Sequence, residues 1–303
     1  MSEQIGFIGL GNMGAPFASR LLAAGKALQV FDRRATAAME LTARGATLQP
    51  GASGVAQAAE IVFLSLPTPA IVEQVAVEAA NAAESGPLRF LVDLSTTGPV
   101  MARSLAVRLA KMGVTYVDAP VSGGVPGALA GTVVIMLACS DEAAARLTPL
   151  LGILGRVFHV GGAAGQGQVT KVLNNLLSAG ALLLSAEVAA LGAKAGVDAE
   201  TMIAVFNAGS GRNSATLDKY PKAILPGSFS LGFSNALMYK DLELCLQLAH
   251  DMEYPMPLGE HIRQEWQAAM SIAGAEADFT TIVRKSELSA GVEVRAAPRQ
   301  SSR

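Results

Sequence analysis

The sequence predicts an α/β domain with a mostly parallel sheet, followed by an all-α domain. Up to about residue 160, short apolar runs alternate with stretches whose apolar residues recur at helical spacing. Beyond residue 167 the strand-like runs end, and long Ala- and Leu-rich helical patterns replace them. The change falls in a Gly-rich segment, so we predict a first domain over residues 1–164 and a second over residues 165–291.

The first domain is predicted to contain six strands joined by helices, for example over residues 15–24 and 100–112. The predicted strands cover residues 5–10, 27–31, 61–66, 90–94, 115–117 and 133–138. Strands that alternate with helices require crossovers, which make the strands parallel and cover both faces of the sheet. The strand at 133–138 is expected to lie differently, because Gly131 and Thr132 precede it after a Gly- and Pro-rich turn.

The second domain is predicted to be helical, with helices over residues 169–195, 199–207, 235–252 and 259–274. The first helix is long and apolar enough to span a bilayer. Polar residues such as Asn174, Glu187 and Lys194 interrupt it, which favours a buried helix and no membrane partner. Residues 292–303 are polar and lack periodicity, which predicts a frayed tail.

The composition is typical of a globular protein, since 51% of the residues are apolar and only 5% are aromatic. The net charge of −2 gives no electrostatic reason to expect nucleic acid or an anionic membrane as a partner. Cys139 and Cys245 lie far apart and the histidines lack metal-ligand spacing, so we expect free buried thiols and no metal site. The N-terminus lacks the pattern of a secretory signal, which makes the cytoplasm the expected location.

A glycine-rich loop with the pattern GxGxxG follows the first predicted strand and opens a helix. It consists of Gly9, Leu10, Gly11, Asn12, Met13 and Gly14. In this context the first glycine permits a tight turn, the second admits a pyrophosphate close to the backbone, and the third allows close helix–strand packing. The pyrophosphate would meet free N–H groups at the positive end of the helix dipole. The loop therefore predicts dinucleotide binding.

The second predicted strand ends at an acid, Asp32, which lies 18 residues after Gly14. This is close to the spacing of a carboxylate that binds the ribose hydroxyls of a dinucleotide. Asp32 would repel the 2′-phosphate of NADP, whereas Arg33 and Arg34 could bind that phosphate. NAD is therefore the favoured cofactor, with NADP as the alternative.

Four segments, in this order and at these intervals, form a specific pattern. They are IGFIGLGNMGAP at residues 5–16, DAPVSGG at 118–124, GQGQVTKVLNN at 165–175 and KDLEL at 240–244. With them the chain resembles the β-hydroxyacid dehydrogenase family, which includes 3-hydroxyisobutyrate dehydrogenase and tartronate semialdehyde reductase. The resemblance implies an N-terminal Rossmann dinucleotide-binding domain, a long interdomain helix and an all-α C-terminal domain for substrate binding and oligomerisation.

The resemblance also implies the catalytic pair. The family's proton-transfer lysine matches Lys171, and its asparagine partner matches Asn175. Residues four apart share one face of a helix, so an amine and an amide could converge on one small ligand. During carbonyl reduction an ammonium group can stabilise the charge that develops on oxygen and then donate a proton. An isolated lysine at a helix start would more often be solvated.

The remaining implied residues bind substrate or cofactor. The substrate-carboxylate loop matches Ser122, Gly123 and Gly124, and its glycines can turn several backbone N–H groups toward an anion. The further cofactor residues match Leu66, Pro67, Thr96 and Lys240. Lys240 could instead form an ion pair with Asp241. One asparagine contact of the family is lost, because Ile71 occupies its position.

We therefore predict reversible hydride transfer between NAD(P) and a small 3-hydroxy acid, which yields the semialdehyde, with Lys171 as general acid and base. The apolar helix after Lys171 further suggests a homo-oligomer, either a dimer or a tetramer. Two alternatives remain: an imine or other carbonyl reductase on the same fold, and a non-catalytic cofactor-binding scaffold. Such relatives replace or lose the proton-transfer lysine, so the presence of Lys171 favours the dehydrogenase.

Overall fold

A computed structural model of the protein describes residues 4–296. The chain divides into two compact units, Met1–Val172 and Leu173–Arg303. Unit 1 contains the α/β part of the chain, and the described residues of unit 2 form helices and the loops between them, as the sequence patterns predict.

Unit 1 is built around a nine-stranded sheet. Its strands are β1 Gln4–Ile8, β2 Ala27–Phe31, β3 Thr47–Leu48, β4 Ile61–Leu64, β5 Phe90–Asp93, β6 Thr115–Asp118, β7 Val121–Ser122, β8 Val133–Ala138 and β9 Gly155–Gly161. The first six lie parallel in the order β3-β2-β1-β4-β5-β6, which is the Rossmann order. Strand β8 runs antiparallel to β6, and this confirms that residues 133–138 lie differently from the other predicted strands.

Helices cover both faces of this sheet. They are α1 Gly14–Ala23, α2 Met39–Ala43, α3 Ala52–Ala58, α4 Pro69–Asn81, α5 Pro99–Ala110, α6 Gly124–Ala130 and α7 Asp141–Leu154, with 3-10 turns at Ala35–Ala38 and Ala82–Ser85. Because side chains alternate along a strand, Phe7 and Phe63 pack against α1 and α7, whereas Val62 and Leu64 pack against α3, α4 and α5. Burial on both faces explains why these strands are apolar throughout.

A long helix, α8 Gln166–Lys194, starts in unit 1 and continues into unit 2. The Asp118 carboxylate accepts hydrogen bonds from the Gly165 and Gln168 N–H groups, both at 3.0 Å. A Cβ atom at Gly167 would lie 2.4 Å from the Met136 carbonyl oxygen, so only glycine permits this approach. These contacts explain why the division falls after Val172, whereas the pattern-based boundary lies between residues 164 and 165.

Helix α8 is the one helix in the described part of the chain that is long and apolar enough to cross a membrane, judged by length and composition alone. Of the most apolar 18-residue window of this helix, 39% is buried within the protein.

The other elements of unit 2 are α9 Ala199–Ala208, a π-helical segment Ala215–Ile224, α10 Asn235–Asp251, α11 Pro257–Ala273, a 3-10 turn Phe279–Ile282 and α12 Val283–Ala290. Trp266 and Tyr220 are fully buried, and the Tyr220 hydroxyl donates to the Ser185 carbonyl at 3.0 Å. The sequence pattern does not predict the π-helical segment, which contains Pro221 and does not have the spacing of an α-helix.

The tail that the sequence predicts to be frayed begins at residue 292. Residues 292–296 are not frayed but pack against the rest of unit 2: Val294 is buried, its N–H donates to Glu287 at 2.9 Å, and Arg295 forms an ion pair with Glu287. Residues 297–303 lie outside the described part of the chain.

Candidate functional site

The turn between β1 and α1 has the form that a dinucleotide loop requires. Gly9 has a φ of 92°, and a Cβ atom there would lie 2.3 Å from the Ser65 carbonyl oxygen. A Cβ atom at Gly14 would lie 1.9 Å from the Gly9 carbonyl oxygen. At Gly11, by contrast, a Cβ atom would meet nothing within 4 Å, so this position faces open space.

The start of α1 also suits an anion. Leu10 is buried in the turn, whereas Asn12 is exposed and Met13, the N-cap residue, supplies no side-chain cap. The first turn contains no acidic residue. The positive end of the helix dipole therefore faces the open space at Gly11 with no acidic side chain in its own first turn, and the residues present fit a pyrophosphate group.

Asp32 closes this turn from the end of β2. Its Oδ2 accepts the Leu10 N–H at 2.7 Å, and its Oδ1 accepts the Arg34 N–H at 2.8 Å. The side chain of Arg34 lies 3.7 Å from the same carboxylate and is 69% exposed, and Arg33 is also exposed. The carboxylate is thus fixed beside the glycine loop, while both guanidinium groups reach solvent.

The predicted cofactor residues of the next two strands lie on the same edge of the sheet. Leu66 and Pro67 follow β4, and Thr96 follows β5. The Leu66 N–H donates to the Ser95 hydroxyl at 2.9 Å, which joins the two loops. Because the strand order reverses between β1 and β4, this carboxyl edge is where open α/β sheets bind their ligands.

Beneath these loops lies a buried polar network that the glycine loop and the helical and strand periodicities do not predict. The Asp93 carboxylate accepts hydrogen bonds from the Ser95 N–H at 2.9 Å and the Tyr116 hydroxyl at 2.8 Å. Burial raises the pKa of Asp93, although these hydrogen bonds oppose the shift. Burial and the nearby Asp93 raise the pKa of Tyr116 well above its ordinary value.

Asp118, at the end of β6, belongs to the same region. Burial raises the pKa of Asp118 to about 6, despite the hydrogen bonds from the Gly165 and Gln168 N–H groups. Asp118 and Gln168 lie inside two of the four matching segments, so the motifs themselves contained the signal.

The predicted substrate loop begins at β7. Ser122 pairs with Val134 of β8 and is half-buried. Gly123 and Gly124 have φ values of 136° and 62°, a region that side chains other than glycine rarely adopt. The sequence therefore needs glycine at both positions, and α6 begins directly at Gly124.

Lys171 lies in the second turn of α8 and is 8% exposed. It stands within one turn of Gln168, whose side chain bonds to the loop that contains Thr96. In unit 1 the structure therefore gathers Lys171, the glycine loop, Asp32, and the loops of Leu66 and Thr96 at the carboxyl edge of the sheet.

A second group of predicted residues lies in unit 2. The Asn175 amide donates to Asp241 Oδ2 at 2.5 Å, and the Asn174 amide donates to Asn175 Oδ1 at 3.2 Å. Lys240 Nζ lies 2.9 Å from Asp241 Oδ1, so the ion pair considered in the sequence analysis forms. The buried Asp241 thus joins Asn175 to Lys240, a connection that the motif KDLEL did not reveal.

Within residues 4–296, no group of three or more His, Cys, Asp or Glu side chains is arranged to hold a metal ion. Cys139 and Cys245 are free and buried, and burial raises the pKa of each thiol, that of Cys139 to about 11.

Two known families match successive parts of the chain. Residues 4–162 match the NAD binding domain of 6-phosphogluconate dehydrogenase, and residues 165–286 match the NAD-binding domain of NADP-dependent 3-hydroxyisobutyrate dehydrogenase.

Curated relatives align over most of the chain. A 2-(hydroxymethyl)glutarate dehydrogenase of Eubacterium barkeri is 35% identical and covers 97% of this chain and 98% of its own. From Pseudomonas aeruginosa, an NAD-dependent L-serine dehydrogenase is 36% identical over 92% of this chain and 96% of its own. A 3-hydroxyisobutyrate dehydrogenase of the same organism is 39% identical over 84% of this chain and 88% of its own.

Solved structures show the same fold. The 3-hydroxyisobutyrate dehydrogenase of Mycobacterium tuberculosis with L-serine has a TM-score of 0.84 at 31% identity and covers 94% of this chain and 99% of its own. The protein Psf3 in complex with NADP+ and 2-OPP has a TM-score of 0.80 at 30% identity and covers 93% of this chain and 99% of its own. An imine reductase of Streptomyces aurantiacus has a TM-score of 0.63 at 23% identity over 93% of this chain and 99% of its own, which shows the shared fold alone.

Proposed function

This chain belongs to the β-hydroxyacid dehydrogenase family of NAD(P)-dependent oxidoreductases, and we propose that it reversibly oxidises a small 3-hydroxy acid to the semialdehyde. The observation that carries the proposal is the burial of Lys171 within one helical turn of Gln168, whose side chain bonds to the loop that contains Thr96. The compounds in the names of the three relatives support the substrate class. All three have a primary alcohol on the carbon β to a carboxylate.

In the proposed reaction the nicotinamide cofactor supplies or accepts a hydride at the alcohol carbon. Lys171 Nζ, as a neutral amine, accepts the hydroxyl proton during oxidation. In the reverse direction the ammonium group stabilises the negative charge on oxygen and returns the proton. Burial of Lys171 supports this role, since it excludes bulk water from the competing proton transfers.

Other residues orient the substrate in this proposal. Ser122, Gly123 and Gly124 bind the carboxylate, and the positive φ angles at the two glycines support the presentation of backbone N–H groups. Asn175 positions the alcohol, and its hydrogen bond to Asp241 keeps its amide in one orientation. Unit 1 would thus bind the dinucleotide, and unit 2 would contribute to substrate binding and oligomerisation.

We propose NAD as the preferred cofactor. The carboxylate of Asp32 supports this, because two backbone N–H groups hold it at the end of β2, where it would accept ribose hydroxyls and repel a 2′-phosphate. The remaining predicted contacts come from the glycine loop, Leu66, Pro67 and Thr96, and from Lys240, which is also ion-paired with Asp241.

We propose that the protein is cytoplasmic and forms a homo-oligomer. Three exposed leucines of α8 lie seven residues apart in the part of the helix that belongs to unit 2: Leu177, Leu184 and Leu191, with exposed fractions of 77%, 65% and 69%. This spacing puts them on one face of the helix, where an apolar stripe is typical of helix–helix packing.

The activity test follows absorbance of the reduced nicotinamide while small 3-hydroxy acids are screened with NAD and with NADP. We expect turnover by the wild type with at least one acid, and a kcat lower by about 10²- to 10⁴-fold in Lys171→Ala. The cofactor Kd should stay within about threefold of the wild type, because the variant removes no dinucleotide contact in this proposal.

Lys194→Ala is the matched control, since Lys194 is exposed at the other end of α8. It should keep wild-type kinetics. Full activity in Lys171→Ala would show that another group moves the proton. Cofactor binding without turnover of any 3-hydroxy acid would contradict the substrate class and favour an imine or other carbonyl substrate, or a non-catalytic scaffold.

A further inference from the structure

Gln168 is fully buried in the first turn of α8, three residues before Lys171. Its side-chain oxygen accepts hydrogen bonds from the Thr97 N–H at 2.9 Å and the Gly98 N–H at 3.1 Å. Its side-chain nitrogen donates to the Ser95 carbonyl at 3.0 Å. One amide group thus binds the loop over residues 95–98 at three backbone positions.

This loop is the one that contains Thr96, and it is also joined to the preceding loop. Ser95 accepts the Leu66 N–H through its hydroxyl oxygen, and Asp93 anchors the Ser95 N–H from below. Gln168 therefore connects the helix that carries Lys171 to both loops that follow β4 and β5.

The start of α8 has its own cap, which separates the role of the Gln168 side chain from helix formation. Asp118 accepts hydrogen bonds from the backbone N–H groups of Gly165 and Gln168. The first turn is therefore hydrogen-bonded without the side-chain amide of Gln168. The side chain is instead directed at the loop, where both its acceptor and its donor are used.

We infer that Gln168 is a positioning residue that fixes the placement of Lys171 relative to the cofactor loops after β4 and β5. The inference rests on the proposed function, in which Lys171 moves a proton while the nicotinamide is bound by those loops. Hydride and proton transfer depend on the relative placement of the two groups, and a displacement of about 1 Å can cost about 100-fold in rate.

The test uses two substitutions of nearly equal size. Gln168→Met removes all three hydrogen bonds, and we expect kcat to fall by about 10- to 100-fold with little change in the KM of the hydroxy acid. The Kd of the reduced dinucleotide, measured by its own fluorescence, should rise several-fold because the loop of Thr96 loses its anchor.

Gln168→Glu tests the hydrogen bonds themselves. A protonated glutamic acid offers one acceptor and one donor, as glutamine does, whereas the carboxylate cannot donate to the Ser95 carbonyl. The introduced carboxyl would lie in the same buried network as Asp93, Tyr116 and Asp118, so it would protonate at unusually high pH. We expect the kcat of this variant, relative to wild type, to recover by about tenfold from pH 8 to pH 6, while the ratio for Gln168→Met stays constant.

Gln166→Met is the matched control, because Gln166 has the same side chain in the same helical turn but is exposed. It should keep wild-type kcat and dinucleotide Kd. A folded Gln168→Met protein with both values within about twofold of wild type, or a Gln168→Glu protein without recovery at low pH, would overturn the inference. If the wild type oxidises no hydroxy acid, the proposed function fails, and the dinucleotide Kd of the same variants at the two pH values still decides the role of Gln168.

Discussion

At the residue scale, the carboxyl groups of Asp93 and Asp118 lie at the ends of neighbouring parallel strands, β5 and β6. Both are fully buried, and each accepts hydrogen bonds that shape the backbone around it. Burial raises the pKa of both groups, because a charged carboxylate loses hydration inside the protein. The edge that positions Lys171 is therefore organised by groups whose ionisation depends on pH.

Asp118 provides a prediction about stability. Its pKa of about 6 in the folded protein exceeds its ordinary value of 3.8, so the folded state holds the proton more tightly than the unfolded state. The associated stability is fully present below about pH 4 and is lost as the pH rises to about 6, by up to about 3 kcal/mol. Relative to Asp118→Asn, the free energy of unfolding of wild type should fall over this range and level off above it.

Urea unfolding of both proteins at several pH values measures this difference. Asp118→Asn keeps the other titrating groups, so it serves as the reference for their contribution to the pH dependence. A difference that increases with pH between 4 and 6 would mean that the native carboxylate is stabilised, and would contradict the raised pKa.

At the element scale, the β1–α1 turn separates two uses of glycine. Gly9 and Gly14 are needed for the turn itself, since a Cβ atom at either would overlap a backbone oxygen. Gly11 has no such neighbour, so its glycine is not required by the protein's own packing. A bound pyrophosphate would account for it, because the phosphate oxygens would occupy the space that a Cβ atom needs.

We therefore predict that two alanine substitutions affect different properties, folding stability in one case and dinucleotide binding in the other. Gly14→Ala should lower the free energy of unfolding by about 3 kcal/mol or prevent folding, as expected of strong overpacking. Gly11→Ala should change that free energy by less than about 0.5 kcal/mol, while the dinucleotide Kd rises by about tenfold or more. Thermal unfolding and nicotinamide fluorescence measure the two quantities. Unchanged cofactor affinity in Gly11→Ala would place the pyrophosphate elsewhere.

At the scale of the whole molecule, one helix of unit 2 aligns its exposed apolar side chains on a single face. Unit 1 covers both faces of its sheet, whereas unit 2 presents Leu177, Leu184 and Leu191 along α8. Apolar side chains aligned on one helix face lower the free energy of association when a second apolar face covers them.

We predict that the double variant Leu184→Lys/Leu191→Lys dissociates the homo-oligomer to a chain of 31.1 kDa, as measured by light scattering at micromolar concentration. Two buried ammonium groups in an apolar interface would cost more than the interface gains. Leu288→Lys is the control, since Leu288 is equally exposed but lies on α12. A monomeric wild type, or a double variant of unchanged mass, would contradict the proposed assembly.

The sequence by itself determined the features that local patterns encode. Alternating strands and helices predicted the parallel sheet, and the glycine loop with Asp32 predicted dinucleotide binding. The motif around Lys171 predicted its helix, because the apolar spacing of 3.6 residues is visible within a short window. Strands β3 and β7, with two residues each, are too short to show a period.

Only the tertiary structure decided which distant polar groups meet. The amide of Gln168 bonds to a loop about 70 residues earlier, and Asp118 caps a helix about 50 residues later. Asp241 likewise bonds to Asn175, 66 residues away. A polar side chain can be satisfied by many partners, so its residue type does not specify one. The fold selects the partner, since burial leaves each of these groups a single set of donors and acceptors within reach.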